Sequence, residues 1–290
     1  MAGAGLVAIK RRIRSITNTT KITKAMGLVS TSKYQKIRKL VDTNNNYVFK
    51  LEKIMKQVTD NYEEDNIYIK GNKSSKKMYI VLTSDTGLCG GFNWAIINEL
   101  MSNLKGNKEE YKIIVVGHKG RVIFKKLNIE TVAEYVDILD VPTQKEATII
   151  INHALNMYSN EEIGEVHIVY KKLISAMRNE VRIEKVLPLN FDDEENSNKQ
   201  EIDNKEYVNI ESIDDNAMYQ ITSLYLGNKM LNSMLHSKAS EHKSRMESMG
   251  SATDNANDIL DKLNLQYNRS RQYAITQEIS EIVGGAEAQK

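Results

Sequence analysis

One spacing, repeated at both ends of the chain, constrains the fold more than anything else in it. From Ile9 onward, apolar or small residues recur in alternating steps of four and three: Ile9, Ile13, Ile16, Thr20, Thr23, Gly27, Ser30, Tyr34, Ile37, Val41, Asn44, Val48, Leu51, Met55 and Val58. From Met246 the same alternation gives Met246, Met249, Thr253, Ala256, Leu260, Leu263, Tyr267, Ser270 and Ala274. This is the pattern of a helix that buries a narrow seam against another helix. The only two prolines, Pro142 and Pro188, leave the stretch from Tyr207 to Val283 uninterrupted, and Gly284-Gly285 reads as its stop. As one helix it would be about 115 Å long at roughly 1.5 Å per residue. A helix of that length needs a long partner, and the N-terminal seam supplies one.

Within the N-terminal seam, Thr20, Thr23, Gly27 and Ser30 stand together where Leu or Ile would be expected. A seam this thin lets two backbones approach closely, or keeps the pair slender enough to fit inside something else. The net charge of +2 hides an asymmetry: residues 1–58 hold thirteen Lys or Arg and two acids, the first being Asp42, whereas residues 190–215 hold ten acids and two Lys. A basic, acid-poor start can be a transit peptide, but the seam runs past Val48 without a cleavage-like boundary, so this segment reads as part of the mature chain. One cysteine, Cys89, rules out an internal disulfide framework and fits a reducing compartment. No apolar run reaches the roughly eighteen residues that a membrane-spanning helix needs.

Between the ends the period changes. Met78 to Thr83 is a short apolar, partly β-branched run, and a helical segment follows from about Phe92 to Leu104. Ile113 to Val116 is a second strand with a helix after it near Lys119 to Leu127; Thr131 to Tyr135 is a third strand, Ala147 to Tyr158 a helix and Val166 to Tyr170 a fourth strand. Glu180 to Leu187 alternates Val181 and Ile183 with Arg182 and Glu184, which predicts a solvent-facing, antiparallel edge strand. Asp60 to Lys77 reads as a connector, and Asp192 to Asn204 as a polar acidic linker on the surface. Strands alternating with helices imply a mostly parallel sheet covered on both faces. The expected fold is therefore mixed α+β and α/β: a long antiparallel coiled coil of N- and C-terminal helices with an inserted Rossmann-like α/β domain. The expected division is 1–58 for the first helix, 77–190 for the α/β domain and 205–290 for the last helix.

Few residues suggest chemistry. Ser84 to Gly91 follows a strand and opens a helix, where phosphate cradles sit. Its G-x-x-G-G spacing matches neither G-x-G-x-x-G nor the Walker loop, and a tight turn with close helix packing explains the glycines. The histidines His118, His153, His167, His236 and His242 are scattered, with His236 and His242 on different helix faces, so no metal site is expected. No Ser/His/Asp pattern or nucleophile elbow appears, so neither a catalytic centre nor a cofactor is expected. The basic N-terminal helix has three readings: a solvated face, a DNA-binding fork, or a surface for an acidic partner. Lys10, Arg11, Arg12, Arg14, Lys21 and Lys24 surround the helix while Ile9, Ile13 and Ile16 continue the seam, which favours the acidic partner over the fork. A coiled-coil scaffold or a nucleic-acid binder remains the alternative.

Several motifs carry a resemblance: Arg14 to Met26 (RSITNTTKITKAM), Ser84 to Asn93 (SDTGLCGGFN), Arg245 to Met249 with Ala252 to Ala256, Tyr267 to Gln272 with Ile275 to Ile279, and Glu281 to Ala286. Together they resemble the gamma-subunit family of F-type ATP synthases, over the whole chain in order, with the two terminal motifs the most specific. The resemblance implies a rotor shaft without a catalytic residue of its own, standing in a ring of three alpha and three beta subunits and coupling transmembrane ion flow to ATP synthesis or hydrolysis. By the family pattern, Lys21, Lys24 and Met26, and Arg271, Gln272, Thr276 and Glu278, would contact the beta and alpha subunits. Tyr207 and Glu211 would belong to a foot near the epsilon subunit and the membrane ring of c subunits. The implied location is peripheral, on the cytoplasmic face of a bacterial plasma membrane, with no nucleic acid as partner.

Overall fold

The computed structural model describes residues 2–62, 66–104, 110–175, 178–191 and 215–287. In chain order the elements are α1 (Ala2–Asp60), α2 (Ile67–Lys70), β1 (Lys77–Leu82), α3 (Phe92–Asn103), β2 (Tyr111–Val116), α4 (His118–Lys126), β3 (Ala133–Tyr135), α5 (Gln144–Ser159), β4 (Glu165–Leu173), β5 (Asn179–Leu187) and α6 (Asp215–Glu287). The chain divides into two compact units, one made of Met1–Thr31 with Arg245–Lys290 and the other of Ser32–Ser244. Both boundaries fall inside helices, so α1 and α6 each contribute to both units.

The larger unit is built on a five-stranded sheet in the order β3-β2-β1-β4-β5. β1 pairs in parallel with β2 and β4, β2 with β3, and only β5 runs antiparallel. β1 shows why its residues form a central strand. Met78, Ile80 and Leu82 point into one core, which takes in Ile150, Ile151, Ala154 and Tyr158 of α5, Met55 and Val58 of α1, and Met218, Leu226, Met230 and Met234 of α6. Tyr79 and Val81 point into the other core, against Phe92, Ile96, Ile97 and Leu100 of α3 and Phe124 of α4. A strand segment buried on both faces must be apolar, which is how residues 78–82 of β1, 113–116 of β2 and 168–170 of β4 read. Each such side chain, fully buried, contributes about 1.5–3 kcal/mol.

β5 departs from the expected solvent-facing strand. It is antiparallel and at the edge, but Glu184 is only half-exposed: its Oε1 lies 2.7 Å from Lys229 Nζ of α6, and its Oε2 accepts a 2.8 Å hydrogen bond from Tyr170 of β4. A separate element, α6, packs on this face through Lys229, and strand alternation alone carries no trace of it. The stretch 60–77 also holds more than a connector. Asn66 caps the single turn of α2 by accepting from Tyr68 N at 2.9 Å, and that turn docks through Tyr158 OH on Ile67 O and Leu189 N on Tyr68 O, both 2.8 Å. One turn is too short to show a period. α5 starts three residues before the expected Ala147, because Thr143 and Glu146 form a reciprocal capping box. At the other end of the chain α6 continues through Gly284 and Gly285 to Glu287. Glycine stops a helix by taking a left-handed conformation, and neither of these does.

In the smaller unit α1 and α6 run antiparallel. Thr23 Oγ1 and Thr253 Oγ1 hydrogen-bond across the pair at 2.7 Å, and a Cβ on Gly27 would stand 3.6 Å from the Met249 Cβ. Along both helices every position of the expected seam, from Ile9 to Val58 and from Met246 to Ala274, is buried or half-buried.

A close backbone approach that also carries a positive φ is at the ends of β1 and β2. Gly117 has φ 104°, and a Cβ there would sit 2.4 Å from the Thr83 carbonyl oxygen. Thr83 Oγ1 in turn donates to Val116 O at 2.8 Å and accepts from Gly120 N at 3.0 Å. Gly117→Ala combines a strained φ with a backbone clash. It is expected to destabilise the larger unit by about 2–4 kcal/mol, read as a fall in thermal midpoint of the purified chain.

Candidate functional site

The helix pair of the smaller unit is thin because its hydroxyls turn inward on their own backbone. Thr17, Thr20 and Thr31 donate to the carbonyls of Ile13, Ile16 and Gly27 at 2.9, 3.0 and 2.9 Å. On the facing helix Thr253 donates to Met249 O at 2.8 Å. Thr20 and Thr253 are seam positions and Thr17 and Thr31 flank the seam, each hydroxyl being satisfied by its own helix backbone.

The residues expected to carry the interaction fall into two sets. Lys21 and Lys24 are exposed and Met26 is half-buried, around the level of Thr253. Arg271, Gln272, Thr276 and Glu278 are all exposed. Gln272 and Thr276 lie one turn apart on one face, joined by the Thr276 hydroxyl donating to Gln272 O at 2.9 Å. The two sets do not meet: from Thr253 to Gln272 is about 28 Å of helix at 1.5 Å per residue. Beyond Ala274 every residue through Ala286 is exposed, including Ile275, Ile279, Ile282 and Val283. Tyr207 and Glu211 lie outside the described residues.

Sequence reasoning missed a second constellation, in the larger unit. The first half of α6 is buried on nearly all sides, and its seam-like pattern conceals polar residues. Lys229 Nζ lies between Glu184 of β5, at 2.7 Å, and Glu52 of α1, with which it makes a short hydrogen bond. Burial alone would lower the Lys229 pKa, but the Glu184 and Glu52 carboxylates outweigh it and raise the pKa. Burial would likewise raise Glu184, and Lys229 brings it below the usual carboxylate range. Both groups are therefore ionised. One turn on, Asn232 Nδ2 donates to Asn44 Oδ1 and Asn45 Oδ1 at 3.0 and 2.9 Å. His236 Nδ1 accepts from Leu173 N at 3.3 Å, and its Nε2 lies 2.9 Å from Asn45 Oδ1. Burial, with Lys172 nearby, pushes the His236 pKa down to about 4, so at neutral pH the ring is uncharged and Nε2 is the donor. The run Asn44-Asn45-Asn46 and the pair Glu52 and Lys229 were the available signals, but nothing in one sequence aligns them.

The turn Ser84 to Gly91 spends its polar groups on itself. Ser84 N donates to Asn93 Oδ1 at 2.9 Å, Asn93 Nδ2 donates to Ser84 Oγ at 2.8 Å, and Asp85 Oδ1 accepts from His118 N and Asp137 N, both at 3.0 Å. Asp85 Oδ2 faces Lys238 Nζ of α6 at 3.7 Å. Leu82, Thr83, Val116, Met234, Lys238 and Glu241 line a cavity of about 10 Å³ there, room for about one water. Among the described residues no cluster of three or more His, Cys, Asp or Glu could hold a metal, and no helix is long and apolar enough to cross a membrane.

Comparison with known proteins adds to this geometry. The model of the family described as ATP synthase matches residues 5–289. The chain is 52% identical over 290 residues to the ATP synthase gamma chain of Clostridium kluyveri, and 51% identical over 290 residues to that of Clostridium botulinum strain Langeland, with all of each chain covered in both cases. Its fold is similar to a chain in the Euglena gracilis mitochondrial ATP synthase structure of OSCP/F1/c-ring, with a TM-score of 0.71 at 17% identity over 99% of this chain and 95% of that one.

Two outcomes follow from the side-chain geometry. The folded-state pKa of His236, about 4, lies below its ordinary 6.5, so the unfolded chain binds this proton more tightly. Its contribution to stability is complete above 6.5 and lost as the pH falls through about 4, on the order of 3 kcal/mol. A series of melting midpoints against pH should therefore be flatter across that window for His236→Gln than for the parent. Gly27→Ala should stabilise the smaller unit by about 0.5–1 kcal/mol, since a methyl fits at 3.6 Å and helix propensity improves; amide exchange around Met26 to Ser30 reads this.

Proposed function

The chain belongs to the ATP synthase gamma chain family, and from that premise we propose how its parts serve as the central stalk of an F-type ATP synthase. Full-length identity of 52% to a clostridial gamma chain carries the reading. The chain is a subunit of the ATP synthase and not the seat of its chemistry: it couples ion flow to ATP synthesis or hydrolysis by turning. The slender, exposed helix pair of the smaller unit stands inside a hexamer of alpha and beta subunits. Lys21, Lys24 and Met26 meet one level of the surrounding beta subunits, and Arg271, Gln272, Thr276 and Glu278 meet another, deeper one. Their exposure and their separation along the helix support two levels of contact.

A basic segment with no acid before Asp42 suits acidic loops arranged around it. Rotation requires that each beta subunit see a different side of the shaft in turn, and that these contacts differ in free energy between the states of its site. Small and polar residues at Thr20, Thr23, Gly27 and Ser30 keep the pair narrow, so no orientation is trapped by a large apolar contact. The foot, with Tyr207 and Glu211, meets the epsilon subunit and the ring of c subunits. The assembly then sits peripherally on the cytoplasmic face of a bacterial plasma membrane.

Reconstitution with the alpha and beta subunits tests this reading. The chain alone should show no ATP turnover, and a hexamer containing a single copy should show it. Lys21→Glu with Lys24→Glu replaces attraction by repulsion at the beta contact. Turnover of the reconstituted complex should fall about tenfold or more, equivalent to about 1.4 kcal/mol or more at the barrier. Turnover of the double variant equal to the parent's would remove these lysines from the contact.

A further inference from the structure

The polar stripe on α6 has no part in the contacts just assigned, and its geometry suits a mechanical task. We propose that Lys229, held between Glu52 and Glu184, is a torsional key: a positioning residue that fixes the register of α1 and α6 on the sheet, so that torque entering the α/β domain turns the helices without slip. The proposal rests on the central-stalk reading and deepens it.

Three elements meet at this one ammonium group. Glu52 comes from α1, Lys229 from α6 and Glu184 from β5. Each carboxylate is held from a second side by a phenol: Tyr170 OH donates to Glu184 Oε2 at 2.8 Å, and Tyr225 OH lies 3.5 Å from Glu52 Oε1. Asn232 and His236 extend the same face of α6, at steps of three and four from Lys229, and they engage Asn44 and Asn45 of α1 and the backbone at the end of β4. The surrounding core is rich in methionine, with Met55, Met218, Met230 and Met234. Such side chains re-pack easily, so a small rotation or axial shift costs them little. Directional polar pairs behave in the opposite way. A slip of one residue would strand a half-buried ammonium and two half-buried carboxylates, whose partial desolvation would no longer be compensated.

Stability alone does not account for the arrangement. A buried ion pair is often no better than apolar packing of the same volume, and its best-attested use is to set register. A stalk needs this at the larger unit, where helix and sheet must move as one body.

The test uses the assembled complex with immobilised alpha and beta subunits and a bead attached through a cysteine placed at the exposed Trp94 of α3. The variant carries Lys229→Met, Glu52→Gln and Glu184→Gln together, which leaves no orphan charge. With the rotor stalled, the variance of the bead angle should rise at least about twofold over the parent, because thermal variance is inversely proportional to stiffness. Lys229→Arg should keep the parent's variance. The melting midpoint of the triple variant should stay close to the parent's, which separates stiffness from stability. If the triple variant does not assemble, Asn232→Ala removes two of the hydrogen bonds at less risk and should broaden the distribution in the same direction. Variance equal to the parent's, in whichever of these two variants assembles, overturns the key and leaves the stalk reading intact. A parent chain that forms no complex with alpha and beta subunits overturns both.

Discussion

The seam shared by α1 and α6 is the constraint on which the other features depend, and its chemistry changes along the chain. Around Thr23 and Gly27 it is small and hydroxylated, and the helices meet through a threonine pair and a glycine. At Tyr34, Ile37 and Val41 it becomes a hydrophobic cluster with Leu235 and Ala239. Beside Val48 and Leu51, Asn44, Asn45 and Glu52 add half-buried polar contacts to α6. Each segment solves a different problem: narrowness where a partner must surround the pair, apolar burial where stability is needed, and directional bonding where the pair is seated on the sheet. A uniform leucine seam would give more stability and none of this differentiation.

The sheet is subordinate to the helices in this arrangement. Its core is divided by β1 into two sides, and one of them is completed by the same long helices that leave it to form the other unit. Buried charge is tolerated there because it is paired on several sides. Lys229 has two carboxylates, Glu184 has a lysine and a phenol, and His236 remains neutral between a backbone amide and an asparagine.

The periodic features were legible in the sequence. The three-four alternation located every buried position of both seams, apolar runs located β1, β2 and β4, and the alternation of Val181 and Ile183 with Arg182 and Glu184 located β5, because burial on one stripe or face leaves a repeat in a single segment. Three features were not legible for the opposite reason. The turn of α2 is shorter than a period; the charged face of β5 is covered by a helix distant in sequence; and Glu52 meets Lys229 only once three elements have docked. The glycines at 284 and 285 misled because composition alone does not say whether a glycine takes the left-handed conformation. Of the expected contact residues, resemblance supplied the identities, and the structure adds that Lys21, Lys24, Arg271, Gln272, Thr276 and Glu278 are exposed, that Met26 is half-buried, and that the two sets lie at separate levels.

One further consequence concerns the carboxyl ends of the parallel strands. In open α/β sheets this crevice is where a ligand binds. Here Lys238 and Glu241 occupy it: the ammonium approaches Asp85 at 3.7 Å, and only a water-sized void remains. The chain's own helix covers the carboxyl ends of β1 and β2. Tethering makes that contact intramolecular, so its occupancy is governed by effective concentration. The end of the sheet is thereby sealed by the same helix that runs on as half of the helix pair.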